Sequence, residues 1–307
     1  MQQQLVPPAD TSAERCPDVQ TLLAGQLAAA SLAAYQRDWQ LYVRFCGSTV
    51  AAWQPASLAR WRAHLAHATA ISPHTINRRL AAIKRLAQEA ALQGDLDEVT
   101  ALAFARVASV PIKALKARTK ATTRTRVTPG QMRQLCEAPD RHTLIGRRDS
   151  ALLHTLASSG CRLGEVLALM AAHIVPQDGR FFLEVLGKNQ TTPRQALLSQ
   201  EAYACIQAWL ARRTVESVYI FTSFAGRGVP TARPMDLSAA WRAVQRYATA
   251  VGLRHMKPHD FRRFVGTELA RRDIRLAQKV LGHKSIETTA RHYVLDTLEG
   301  GATDGLY

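Results

Sequence analysis

The chain has 307 residues, 47% of them hydrophobic, with 40 Lys plus Arg against 24 Asp plus Glu and a formal charge of +16. That length accommodates two ordinary domains, and the apolar content is enough for packed cores, which excludes a chain disordered throughout. A charge this positive, spread along the sequence, selects polyanionic partners, nucleic acid ahead of an anionic membrane surface.

Residues 1–18 are polar, carry Pro7, Pro8 and Pro17, and read as a flexible tail. No basic stretch followed by an apolar one opens the chain. The apolar-looking run from Leu22 to Ala34 is broken by Gly25, Gln26 and Ser31 and is too short to span a bilayer. The expectation is therefore a cytoplasmic protein without a membrane partner, nucleoid-associated if its polyanion is DNA. In "SLAAYQRDWQLYVRFC", Leu32, Tyr35, Trp39, Tyr42 and Cys46 recur at helical spacing behind Ser31 as the expected cap. A helix over Trp53 to His67 follows. In "SPHTINRRLAAIKRLAQEAAL", Ser72 is the expected cap and Pro73 opens the first turn. Ile76, Leu80, Ile83 and Leu86 make its apolar stripe, and Arg78, Arg79, Lys84 and Arg85 lie mostly off it. "DEVTALAFARVA", Asp97 to Ala108, is one more helix, so residues 19–110 form an all-helical domain.

No acidic residue occurs from Val99 to Cys136, a window rich in Lys and Arg. Residues 111–127, with Lys116, Arg118 and Lys120, read as a basic linker lying along a phosphate backbone. A second domain, 128–295, opens with a helix capped at Thr128. "DSALLHTLASSGCRLGEVLALM" holds two helices separated at Gly160. "RFFLEVLGKNQTTPRQALLS" predicts a hairpin, strands Phe181–Leu186 and Gln195–Leu198 joined through Gly187, Asn189 and Pro193. "VYIFTS" is another short strand, and helices follow over about Leu237–Val251, His259–Arg272 and Arg275–Leu281. The fold class is thus mainly α, an all-helical first domain and a mostly helical second one with a small sheet, followed by a tail at 296–307. The five cysteines, Cys16, Cys46, Cys136, Cys161 and Cys205, are odd in number and none are close in sequence. They read as reduced thiols, with neither a disulfide framework nor a zinc site.

Several polar residues sit oddly in this frame. Arg162 opens an apolar helix, where a cation opposes the macrodipole, and Glu165 follows one turn later. Lys188 is at the hairpin tip. In "KPHDFRRF", His259 and Arg262 are three apart at a helix N-terminus, a place that favours anions. His283 follows Gly282, and Tyr293 comes ten residues after it. Singly, each has an ordinary structural explanation. Together they suit attack on a phosphodiester without a metal or other cofactor. Guanidiniums clamp the non-bridging oxygens, a tyrosine hydroxyl is a nucleophile, and a lysine can protonate the departing sugar oxygen. The phenol's free pKa is about 10, so neighbouring cations must stabilise the phenolate.

The blocks "SSGCRLGEVLAL", "LGKN", "PHDFRR", "LGH" and "TTARHY", in this order, resemble the tyrosine recombinase (phage integrase) family, with Xer-like and Cre-like features, over nearly the whole chain from Val19. The two helical segments around Trp39 and Ile83 resemble that family's core-binding, SAM-like domain. The resemblance implies that Arg162, His259 and Arg262 bind the scissile phosphate and Lys188 is the general acid. His283 is then the second histidine, Tyr293 the nucleophile of a 3′-phosphotyrosyl bond, and Glu165 the supporting acid. It implies double-stranded DNA with an inverted-repeat core site and a homotetramer on DNA. Arg78, Arg79, Lys84, Arg85, Lys116, Arg118 and Lys120 are the DNA-contact candidates. The chain departs from the family pattern at Asn189, where Gly-Lys-Gly is usual, and in Asp97–Thr125, which is longer than in Xer-type members and resembles the Cre type. Relaxation of DNA in the manner of a type IB topoisomerase and a non-catalytic DNA-binding role are the alternatives. The tail after Tyr293 either docks on a neighbouring subunit or ends free, and the helix around Leu102, Phe104 and Val107 is a second candidate contact between subunits.

Overall fold

A computed structural model describes residues 19–118, 127–187 and 191–293. The chain divides into two compact units, Met1–Thr123 and Arg124–Tyr307, each with its own core.

In the first unit the described helices are α1 (Val19–Leu22), α2 (Ala29–Cys46), α3 (Thr49–Ala52), α4 (Pro55–Ala68), α5 (Pro73–Leu92) and α6 (Glu98–Arg106), followed by a 3-10 segment at Ile112–Arg118. The α5 start is built as its sequence implies: the Ser72 hydroxyl accepts from the Thr75 N–H at 3.3 Å and Pro73 occupies the first turn. Its stripe is fully buried, with Ile76, Leu80, Ile83 and Leu86 all at 1% exposure or less. Each such side chain contributes about 1.5–3 kcal/mol relative to exposure. Aromatic side chains fill the rest: Trp39 lies 4.8 Å from Trp53, and Tyr42 5.0 Å from Trp61. Asn77 on α5 clamps the chain beyond α6, donating to the Val110 carbonyl at 2.9 Å and accepting from its N–H at 2.8 Å. Ser31 is not a cap: α2 begins at Ala29, with Ala28 at the N-cap and no side-chain cap bond. High helix propensity at Ala29 and Ala30 starts the helix ahead of the hydroxyl. Trp53 falls between α3 and α4 rather than opening a helix. Phe104 is completely buried, so of the three residues named for a contact between subunits only Leu102 is exposed, Val107 being half-buried.

In the second unit Thr128 and Gln131 form a reciprocal cap at the start of α7 (Pro129–Glu137), with bonds of 3.2 and 3.0 Å. α8 (Leu144–Ser159) is buried on nearly all sides and ends at Gly160, whose φ of 60° is the left-handed conformation that closes a helix cheaply only for glycine. α9 (Leu163–Leu167) follows at once. A three-stranded antiparallel sheet, β1 (Ile174–Gln177), β2 (Arg180–Val185) and β3 (Arg194–Leu198) in that order, pairs Leu183 with Ala196 and Val185 with Arg194. Then come α10 (Gln200–Leu210), the pair β4 (Thr222–Phe224) and β5 (Pro230–Pro234), and α11 (Leu237–Ala250). α12 (Pro258–Arg272), α13 (Ile274–Leu281) and α14 (Ile286–Tyr293) complete the described chain. Asp149, fully buried on α8, is the polar hub. It accepts from Arg148 at 2.7 and 2.9 Å, from Arg246 at 2.8 Å and from Tyr247 at 3.1 Å, which ties α8 to α11. The first strand of the sheet and α10 have no counterpart in the elements expected from sequence. No helix among the described residues is long and apolar enough to cross a membrane.

Candidate active site

The site is assembled at the ends of four helices of the second unit. Arg162 is the N-cap of α9, and Glu165 in that helix accepts from the Arg162 N–H at 2.9 Å and from its guanidinium at 2.6 Å. The pair answers why a cation opens this helix: its Glu165 partner is buried, while the Arg162 side chain stays 48% exposed, with donors left for an anion. Burial alone would raise the Glu165 pKa. The Arg162 N–H, the Arg162 guanidinium and the nearby Arg194 charge outweigh it and hold the carboxyl below its ordinary value.

Arg262 stands one turn into α12 and is 1% exposed. Its Nη1 donates to the Gly160 carbonyl at 3.0 Å and its Nη2 to the Leu281 carbonyl at 2.6 Å. The same Nη2 lies 3.1 Å from His283 Nε2. One guanidinium thus joins the α8–α9 turn, α12 and the end of α13. Burial, followed by the Arg162 and Arg194 cations, lowers its pKa, with the Tyr293 phenol and Glu165 acting the other way. A guanidinium remains charged regardless. His259, in the first turn of α12, stays open to solvent on one side. Burial of the other side and the charges of Arg263 and Arg262 lower its pKa, so the ring is predominantly neutral at pH 7.

His283 follows Gly282, which adopts φ 66° at the end of α13. Tyr293, at the end of α14, is 4% exposed and stacks on the His283 ring, centroids 5.4 Å apart and planes at 22°. Gly266 on α12 makes room for it: a β-carbon there would stand 2.4 Å from Tyr293 Cδ1. The structure thereby brings together Arg162, Glu165, Arg262, His283 and Tyr293, with His259 on the same helix as Arg262. Lys188 lies outside the described residues. Among the described residues no group of three or more His, Cys, Asp or Glu is arranged to hold a metal ion.

Arg194, the first residue of β3, was not singled out in the sequence. Its Nη2 donates to Glu165 at 3.0 Å and to the Cys161 sulfur at 3.5 Å, and its Nη1 to the Val280 carbonyl at 2.7 Å. It braces α9 against α13 and occupies the space that any side chain at position 282 would need, 2.5 Å from the Arg194 Cδ. The signal was strand alternation: Arg194, Ala196 and Leu198 share one face, and the latter two are 1% and 5% exposed.

The cations expected on DNA from the first unit have partners within it. Arg78 chelates the buried Asp38 through both amino groups, and Arg79 lies 3.7 Å from the same carboxylate. Lys84 donates to the Ala105 and Val107 carbonyls, where the α6 C-terminus attracts a cation. Arg85 reaches Gln26 at 2.7 Å and Glu89 at 3.9 Å. Arg118 donates to the Ala66 carbonyl at 2.7 Å. Lys116 is exposed, and Lys120 lies outside the described residues.

Fold and constellation together define a two-unit helical protein with a cationic tyrosine site in its second unit. The profile described as the phage integrase family matches residues 125–298, and that of the phage integrase N-terminal SAM-like domain matches residues 20–94. The chain belongs to the phage integrase family. Tyrosine recombinase XerD of Neisseria meningitidis is 28% identical over 175 residues, 54% of this chain and 56% of that protein. Tyrosine recombinase XerC of Pseudomonas fluorescens is 28% identical over 285 residues, 88% and 87% of the two chains. The match thus spans about half the length of the first relative and most of the second. The Tn1549 transposon integrase in complex with circular intermediate DNA superposes with a TM-score of 0.65 at 15% identity, covering 92% of this chain and 96% of that one. The XerH site-specific recombinase bound to palindromic difH substrate superposes with a TM-score of 0.61 at 19% identity, covering 78% and 68%.

Proposed function

We propose that the protein is a site-specific DNA recombinase that cleaves and rejoins strands through Tyr293. The observation that carries this reading is the contact of Tyr293 with His283, of His283 with Arg262, and of Arg262 with the Gly160 carbonyl two residues before Arg162. The curated relatives named tyrosine recombinases and the structural neighbours solved on DNA support it.

In this mechanism Arg162 and Arg262 hold the non-bridging oxygens of the scissile phosphate and offset the charge that develops there. His259 and His283 add hydrogen bonds to the same group. Tyr293 loses its phenolic proton to solvent and its oxygen attacks phosphorus, the bond to the 5′ oxygen breaks, and Lys188 delivers a proton to that oxygen. The phosphotyrosyl ester conserves the energy of the broken bond. A 5′-hydroxyl from a partner strand therefore reverses the step without ATP and completes an exchange between two sites. The substrate is double-stranded DNA with an inverted-repeat core, bound by a homotetramer. Arg79, Lys116, Arg118, Lys120 and the exposed side of Arg78 supply backbone contacts. Lys84 contributes mainly to the field, since its ammonium is engaged by the Ala105 and Val107 carbonyls, and Arg85 keeps donors beyond the one on Gln26.

The test is a suicide substrate nicked beside the scissile phosphate. Covalent protein should accumulate on the 3′ end in EDTA without ATP, and Tyr293→Phe should bind DNA yet trap none. Trapping by Tyr293→Phe would assign the nucleophile elsewhere, and relaxation of plasmids lacking any defined site would favour a topoisomerase.

A further inference from the structure

We propose that Thr289 is a positioning residue that holds the Nδ1 side of His283 in either neutral form of the ring and joins that ring to the helix bearing Tyr293. The role in catalysis rests on the recombinase reading; the tautomer itself does not. His283 Nε2 lies 3.1 Å from Arg262 Nη2, and His283 Nδ1 lies 3.0 Å from the Thr289 hydroxyl. A guanidinium has only donors. Nε2 must therefore accept, so the neutral imidazole carries its hydrogen on Nδ1 and donates it to Thr289 Oγ1. Thr289 is 0% exposed, which denies Nδ1 water as a replacement acceptor at that spot.

The position of Thr289 gives this bond a second consequence. It precedes Tyr293 by four residues on α14, so both side chains lie on one face of that helix. Thr289 grips the edge of the imidazole while Tyr293 stacks on its face. A single buried hydroxyl thus relates the His283 plane, through α14, to the tyrosine. It also keeps Nε2 as the acceptor that, with the Leu281 carbonyl, holds Arg262 Nη2 in place.

The hydroxyl matters further when a phosphate claims the Arg262 donors. To serve a phosphate oxygen, Nε2 needs a hydrogen. One proton then leaves Nδ1 and one is taken up at Nε2, both exchanged with solvent, and the ring stays neutral. Threonine is both donor and acceptor, so Oγ1 can turn its own hydrogen toward the vacated Nδ1 lone pair. A methyl group of the same shape can do neither, and it removes the Thr289 partner of Nδ1.

The experiment combines 15N chemical shifts of the histidine ring nitrogens in the full chain, His283 being assigned with His283→Gln, and suicide-substrate trapping. The wild-type protein should show His283 protonated on Nδ1. Thr289→Val, which serves Nδ1 in neither neutral form, should slow trapping by about 10–100-fold, the range found when the partner that orients a metal-bound histidine is removed, at unchanged DNA affinity. Thr289→Ser should keep the tautomer and most of the rate. A wild-type His283 protonated on Nε2 overturns the proposal, as does Thr289→Val trapping at the wild-type rate or Thr289→Ser as slow as Thr289→Val. If Thr289→Val fails to fold, the wild-type tautomer and the serine variant still decide. If the wild-type protein traps no DNA at all, the recombinase reading falls while the tautomer measurement stands.

Discussion

Replacing Gly266 by alanine should disable the site without touching a charged residue. The added β-carbon would lie 2.4 and 2.5 Å from Tyr293 Cδ1 and Cε1 and 2.9 Å from Leu281 Cδ1. Carbon atoms pack at about 3.5–4.0 Å, so the ring must retreat by roughly 1 Å or more. It has little room to do so, being 4% exposed and stacked on His283. Overpacking of this kind costs about 1–3 kcal/mol of stability. A 1 Å displacement of a reacting group costs about a hundredfold in rate, equivalent to ~2.7 kcal/mol in the barrier. The assay measures single-turnover trapping on a suicide substrate alongside DNA affinity and thermal unfolding. Trapping should fall about a hundredfold while binding holds, and Gly266→Ser should be at least as slow. A folded Gly266→Ala that traps at the wild-type rate would show that the buried position of Tyr293 is not the one from which it reacts.

Glu165→Gln should destabilise the second unit by about 3 kcal/mol by breaking a buried charge network, and it should also flatten the acid sensitivity. The depressed Glu165 pKa means that its contribution is complete above the ordinary value of 4.5 and is lost as pH falls through the lower folded value, so the loss of stability between pH 7 and pH 3 should be smaller in the variant, Asp97 and Asp236 keeping their own acid-sensitive share. His259 has a lowered pKa; the unfolded chain then binds the extra proton first, and stability should rise with pH through the window just below 6.5. A phosphate beside the ring favours its charged form, so DNA binding near pH 6 should take up protons, measured calorimetrically in buffers of different ionisation enthalpy, and His259→Gln should abolish the difference. Asp149→Ala leaves Arg148 buried without its carboxylate and should cost about 3–5 kcal/mol, seen as a lowered Tm; an unchanged Tm would remove Asp149 as the hub.

Local rules written into single segments decided much of the architecture. Ser72 with Pro73, Thr128 with Gln131, and Gly160 each terminate a helix through bonds between neighbours, and the stripe Ile76, Leu80, Ile83, Leu86 needs only the helical period to be found. The order of the motif blocks was likewise enough to nominate Arg162, Glu165, His259, Arg262, His283 and Tyr293. What the tertiary structure alone decided are the relations between segments distant in sequence. Arg194 reaches Glu165 across 29 positions and Val280 across 86, and no local pattern states that a strand-opening cation will brace two helices. Arg78 and Lys84 illustrate the converse: their spacing off the α5 stripe promised free charge, but Asp38 on α2 and the carbonyls at the end of α6 lie against that side. Burial and hydrogen-bond partnership are properties of packed neighbours, so the side-chain types could be read in order along the chain, whereas the use of each donor was settled only when the helices met.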